Sequence, residues 1–292
     1  MPIGKKSPAA ALAACPAPDT TEARQRYADR IMRLVDVGDK RIHDAFAKVP
    51  REQFLPPPPW KILPTRLLCG FATSNPRQLY RNVLVAIDAS RGINNGEPAL
   101  HAAWLAAVAP KSGEKACHIG AGGGYYTAII AELVGPQGRI EAFEIVPEIA
   151  AMAARNLSDR DNVCVHASDA RVLAPDSFDV IYINAGAVAP SLHWIEALRP
   201  GGRLVFPWRP SADVALAILV ERTEAGFAAR PLMGAWFIPI AGVAAEKHAS
   251  RIPDRKQAQL VRSLVRRRDR EPDESAVAVF DDLWFSSALV SQ

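Results

Sequence analysis

The chain has 292 residues, 49% of them hydrophobic and 23% charged, with a formal net charge of +4. That apolar content suffices for one large core plus an appendage, and it excludes a disordered chain or a small disulfide-stapled scaffold. The charge excess is too slight and dispersed to argue for a nucleic-acid partner, and no apolar run approaches the ~20 residues that cross a bilayer.

Cys15, Cys69, Cys117 and Cys164 form no CxxC pair and show no ligand spacing with histidine, so no metal is expected. Cys117 and Cys164 lie in apolar, strand-like runs and read as small core residues, and unpaired thiols suit a cytoplasmic protein.

Residues 1–19 read as a flexible Ala/Pro tail. The stretch ending "LAAC" at Cys15 imitates a lipoprotein export signal, but it is weakly apolar and interrupted by Pro8. Thr20 or Thr21 can cap a helix carrying Tyr27, Ile31 and Leu34 on one side. "RIHDAFAKV" (41–49) is a second helix, and the four prolines 56–59 predict an extended polyproline segment. A loop-rich region runs to Asn95, closing a segment of 20–95.

The rhythm then changes. "PALHAAWLAAVA" reads as a helix opened by Pro98, "KACHI" as a strand, "GYYTAIIAELV" as a helix, "RIEAFEI" as a strand and "PEIAAMAARNL" as a helix. "NVCVH" and "FDVIYIN" are strands, "PSLHWIEAL" a helix and "GGRLVFP" a strand. Such alternation over 96–245 predicts a parallel sheet covered on both faces. "ADVALAILVER" and "PLMGAWFIPI" then predict a closing antiparallel pair. Residues 246–292 read as an appendage, with the basic run "RSLVRRRDR" as a solvated helix face. Trp104, Trp194 and Trp208 are assigned to packing.

Gly120, Gly122, Gly123 and Gly124 fall between a strand and a helix, where removing Cβ atoms lets a ligand lie against main chain and face the helix amides. A GxGxxG dinucleotide fingerprint would need a third glycine where Tyr125 stands. Glu144 ends the next strand, about 20 residues on, where a carboxylate can accept both hydroxyls of a ribose. Asp169 follows the third strand and can accept from an adenine amino group. A glycine loop followed by two strand-end acids describes an adenosine pocket without phosphates, hence S-adenosyl-L-methionine, with S-adenosyl-L-homocysteine as product. Tyr125 either lines the methionine end or is core; His118 reads as a structural strand-end residue beside the cofactor, and His101 as a packing residue.

These residues, with "LRPGGRLVFP" (198–207), resemble the class I S-adenosylmethionine-dependent methyltransferases. "VPREQF" (49–54), "LYRNV" (79–83), "GEPALHA" (96–102), "IGAGGGYYTAIIAELVG" (119–135), "FDVIYINAGA" (178–187) and "FIPI" (237–240) narrow the resemblance to the protein-L-isoaspartate O-methyltransferase family, over 38–242. The resemblance implies an α/β, Rossmann-like sheet, mostly parallel with an antiparallel final strand, a helical N-terminal region and a small C-terminal appendage. It implies carboxyl methylation of a protein or peptide acceptor, with isoaspartyl repair as the purpose, and places Asn95, Gly96 and Glu97 near that acceptor.

Two positions depart from the family. A serine that touches the substrate carboxylate is replaced by Gly96, leaving Asn94 and Asn95 as possible amide donors, and the acid that commonly precedes "IG" is His118. A different carboxyl acceptor, a small molecule, or a non-catalytic cofactor binder are the alternatives. "INAG" (183–186) disfavours a nucleic-acid amino methyltransferase, and Tyr125 disfavours a nicotinamide oxidoreductase.

Overall fold

A computed structural model of the chain describes residues 19–64, 69–170, 173–239 and 248–290. The expected tail, apart from Asp19, lies outside the described residues.

Helix α1 (Thr21–Val35) buries Tyr27, Ala28, Ile31 and Met32. Leu34, expected on that stripe, is 58% exposed. At 100° per residue it falls about 90° from the stripe's centre, so the periodicity was too generous by one turn. Thr20 occupies the N-cap, but its hydroxyl caps no helix N–H; it donates to Glu52 Oε1 at 3.1 Å and accepts from the Arg24 guanidinium at 2.7 Å. Helix α2 (Lys40–Lys48) is capped by the Asp39 side chain, which accepts from Arg41 N–H. The proline run bends instead of extending, and Trp60 Nε1–H reaches back to the Pro56 carbonyl at 2.8 Å. Short strands β1 (Trp60–Ile62), β2 (Phe71–Thr73), β3 (Ala86–Asp88) and β4 (Ile93–Asn94) form two small antiparallel pairs.

Helix α3 (Pro98–Val108) precedes β5 (Lys115–Ile119), α4 (Tyr125–Val134), β6 (Arg139–Glu144), α5 (Pro147–Asn156), β7 (Val163–Ala167), β8 (Phe178–Ile183), α6 (Leu192–Glu196) and β9 (Leu198–Trp208). The strands run β7-β6-β5-β8-β9, all parallel. Strands buried on both faces need no alternation, which is why "FDVIYI" is apolar apart from Asp179 near its start. Helix α4 buries nine of its ten residues because it lies between the sheet and α2. Trp104, Trp194 and Trp208 are all within the core. Cys164, expected there, is exposed because β7 is the sheet edge.

Strand β10 (Leu216–Thr223) runs antiparallel to β9 and turns into β11 (Gly226–Gly234). The hairpin pairs Thr223 with Gly226, which fixes β11 several residues before the apolar run expected to form it. Ala235 to Pro239 therefore lie beyond the strand, with Trp236 64% exposed. Nor does the sheet end here. After β12 (Ala249–Arg251) and the short α7 (Arg255–Ala258), strands β13 (Ser263–Arg266), β14 (Ala276–Phe280) and β15 (Leu283–Ser286) extend it as β11-β13-β15-β14-β12. The basic run thus begins as a strand, not a helix. Phe280, Leu283 and Phe285 join the core that also holds Trp194, Trp208 and Leu216.

Candidate active site

Strand β5 leads through α4 to β6 on one side, while β8 leads through α6 to β9 on the other. The crevice beyond the carboxyl ends of β5 and β8 is the switch point at which open α/β sheets bind ligands.

The glycine loop fills one wall. Gly120 and Ala121 N–H both donate to the Phe143 carbonyl, at 2.9 and 3.0 Å, which curls the loop over the end of β6. Gly120, Gly122 and Gly124 have φ of +75°, +55° and +94°, a region costly for residues with a Cβ. Not every glycine is bare for a ligand, however. A Cβ on Gly123 would stand 2.0 Å from the Phe54 carbonyl oxygen, and one on Gly124 2.8 Å from Leu157 Cδ1. The protein's own packing explains those two vacancies. Gly120 meets only Asn184, at 3.5 Å, and Gly122 only Ile87, at 3.3 Å.

Glu144, 7% exposed, closes the wall: Oε2 accepts Gly122 N–H at 2.9 Å and Oε1 accepts Val146 N–H at 3.0 Å. A carboxylate offers about four lone-pair sites, so acceptor capacity for a diol remains. The same contact argues against a pyrophosphate. The Gly122 amide already faces an anion, and residues 119–125 carry no cation to offset a second. The donor set therefore fits an adenosyl group better than a dinucleotide. Asp169, half-buried, lies two residues past the end of β7.

His118, next to last in β5, is fully buried, and burial pushes its pKa down to about 3. With the Asn184 carboxamide oriented so that Nδ2 donates to Nε2 at 2.8 Å, Nδ1–H donates to Thr127 Oγ1 at 2.7 Å. Asn184, missed in the sequence, sits at the carboxyl end of β8 and leaves Oδ1 buried without a partner among the described residues. Its strand-end position at the switch point was the available signal. The Tyr125 side chain turns away into the core, against Phe46, Phe54, Tyr126 and Tyr27. Only its main chain faces the loop, because the first turn of α4 packs on α2.

The segment expected to face the acceptor is held by Arg51, which is fully buried and has no carboxylate partner among the described residues. Its guanidinium donates to the carbonyls of Leu79 (2.7 Å), Arg81 (3.2 Å) and Val83 (2.7 Å) and to Asn95 Oδ1 (3.0 Å). Asn95 Oδ1 also accepts Val85 N–H, while its Nδ2 is buried and unpartnered among the described residues. The Asn94 amide is consumed by the turn: Oδ1 accepts Gly96 N–H and Nδ2 donates to the Gly92 carbonyl. Gly96 has φ +73° and is half-buried, and Glu97 accepts from Asn82 Nδ2 at 2.6 Å. Away from the crevice, Glu141, Cys164 and His166 hold donor atoms within 4.8 Å of one another, a grouping that strand spacing alone did not suggest. Among the described residues no helix is long and apolar enough to cross a membrane.

Comparison with known proteins bears on the fold and the family. A solved structure named protein-L-isoaspartate O-methyltransferase superposes with TM-score 0.65 at 21% identity, covering 83% of this chain and 72% of that one. A Plasmodium falciparum chain assigned to the same enzyme, solved with S-adenosyl-L-homocysteine, gives 0.61 at 16% identity over 75% of this chain and 98% of its own. The fold is that of the class I S-adenosylmethionine-dependent methyltransferases. The sequence profile of the protein-L-isoaspartate(D-aspartate) O-methyltransferase family matches residues 28–245. The Aeropyrum pernix protein-L-isoaspartate O-methyltransferase is 31% identical, with 81% of this chain and 84% of that one aligned. The Methanopyrus kandleri enzyme is also 31% identical, over 75% of this chain and 92% of its own. The chain belongs to the protein-L-isoaspartate(D-aspartate) O-methyltransferase family, whose cofactor is S-adenosylmethionine.

Proposed function

We propose that the protein methylates a carboxyl group, that of an isoaspartyl residue in damaged protein, as a cytoplasmic repair enzyme. The observation that carries the reading is the Glu144 carboxylate clamped on Gly122 N–H at the switch point. When bound, S-adenosylmethionine supplies an electrophilic methyl carbon, and its sulfur leaves with the bonding pair as the carboxylate oxygen takes the methyl.

The chain's own residues then have a positioning task. Glu144 accepts the ribose hydroxyls, the open main chain at Gly120 and Gly122 lies against the cofactor, and Asp169 accepts from the adenine. His118 stays neutral and holds Asn184, while Asn95 and Gly96 border the acceptor. A carboxylate acceptor is ionised at neutral pH, so no general base is required. Alignment alone can supply ~7–11 kcal/mol in favourable cases.

The test is tritiated-methyl transfer to an isoaspartyl peptide and to its normal aspartyl twin, with Glu144→Ala as control. Base-labile label on the isoaspartyl peptide alone supports the reading. Label on neither, despite S-adenosylhomocysteine binding, removes it.

A further inference from the structure

His101 is fully buried on α3, and its ring is fixed from every side. Tyr126 stacks on it with centroids 3.6 Å apart, and Trp104, Phe237 and Tyr182 surround it at 5.7–5.9 Å. Nδ1 lies 2.8 Å from the Tyr182 hydroxyl. Burial raises the pKa of that phenol well above its usual value, so it keeps its proton. Its other acceptor, the His101 carbonyl, is at 3.5 Å, so the hydroxyl donates to Nδ1 and the imidazole proton resides on Nε2.

That Nε2–H has no partner among the described residues, and it is aimed at Gly96. A Cβ at residue 96 would come within 2.2 Å of it, so only glycine there leaves room beside this buried donor. The neighbouring Asn95 Nδ2 is a second buried donor without an acceptor. Two stranded donors beside one bare main-chain position call for oxygen acceptors. Burial of such groups without partners costs about 1–3 kcal/mol each. Resting on the carboxyl-acceptor reading above, we infer that His101 orients the acceptor: its Nε2–H donates to one carboxylate oxygen brought over Gly96, leaving the other oxygen free to take the methyl. The ring acts as a neutral donor and transfers no proton.

The test compares His101→Leu, which removes the donor, with His101→Gln, which returns an N–H near the same place, and with Tyr182→Phe, which releases the tautomer. Binding of the isoaspartyl peptide is titrated calorimetrically with S-adenosylhomocysteine saturating. The peptide Kd rises about 10- to 100-fold in His101→Leu, the range expected for one hydrogen bond to a charged group. Affinity for S-adenosylhomocysteine stays unchanged, and His101→Gln recovers part of the loss. In the wild-type protein, a nitrogen-15 correlation spectrum shows the Nε2–H tautomer, and its proton signal moves when peptide is added. This decides the matter even should every variant unfold. An Nδ1–H tautomer, a signal that stays put while peptide binds, or equal peptide affinity in His101→Leu overturns the inference alone. A wild-type protein that binds S-adenosylhomocysteine but neither binds nor labels the peptide overturns the carboxyl-acceptor reading with it.

Discussion

Gly96 and His101 occupy one another's space: a Cβ on the first would stand 2.2 Å from Nε2 of the second, and Gly96 holds φ +73°. Gly96→Ser therefore meets both overpacking and an unfavourable backbone angle, together about 2–4 kcal/mol of lost stability. Adding His101→Ala to Gly96→Ser removes the overpacking share, so the double variant is more stable than the sum of the singles predicts. Urea midpoints of the four proteins in the cycle measure the coupling, and strict additivity would show that the two positions do not touch.

Gly123→Ala sets a Cβ against a main-chain oxygen, that of Phe54, which cannot rotate aside. The loop must separate from the 51–54 turn, and we expect S-adenosylhomocysteine affinity to fall about tenfold or more alongside about 1–3 kcal/mol of stability. Calorimetry and urea denaturation read the two losses. Wild-type behaviour would mean that the loop and the turn are not in contact.

Glu144→Gln keeps the shape of the side chain and removes the charge that accepts Gly122 and Val146 N–H. One of the two amides then faces an NH2 group. A charge-assisted hydrogen bond contributes about 1.5–3 kcal/mol, so affinity for S-adenosylhomocysteine drops about 10- to 100-fold. NAD gives no binding heat to either protein.

Arg51→Lys retains the charge but cannot span three carbonyls and Asn95 Oδ1 with one ammonium. Stability falls by about 3–5 kcal/mol, the range for an interrupted buried charge, and residues 79–95 become the earliest site of limited proteolysis.

Two buried histidines set the acid limit. Burial holds His118 at about 3 and His101 well below the ordinary value. Both groups are neutral in either state above about pH 6.5, so they impose no penalty there. Below it the unfolded chain takes up protons that the folded one refuses, and stability declines down to about pH 3. Each group contributes a slope of up to about 1.4 kcal/mol per pH unit. Urea midpoints from pH 7.5 to 5 track this decline, and His118→Gln shallows it. An unchanged slope in that variant would mean His118 is charged in the folded protein.

What the sequence disclosed and what it hid divide along physical lines. Strands β5 and β8 and helices α3 and α5 were legible because the central strands are largely apolar and because Pro98 and Pro147 mark helix starts, while β6 shows the alternation of a strand buried on one face. Glu144 was legible from its distance past the glycines. Arg51 was not, since no local pattern signals a guanidinium buried among carbonyls. Nor does local sequence show that the vacancies at Gly123 and Gly124 are filled by Phe54 and Leu157, which are brought there by tertiary packing. His101 was read as a packing residue, and its ring does pack; the direction of its second nitrogen depends on Tyr182, 81 positions away. Strand β11 was misplaced because a hairpin, not the apolar run, sets its register.

The family match stops at residue 245, while hydrogen-bonded strands continue to Ser286. The family-sized portion is thus not a self-contained unit in this chain. Cut there, β11 would lose β13, and Trp208 would lose the Phe285 ring that now lies 4.8 Å from it. Naked flanks of this kind invite copies to join one another. The chain instead terminates its own ladder with β12, three residues long and irregular in register, which offers a neighbour almost nothing to polymerise upon.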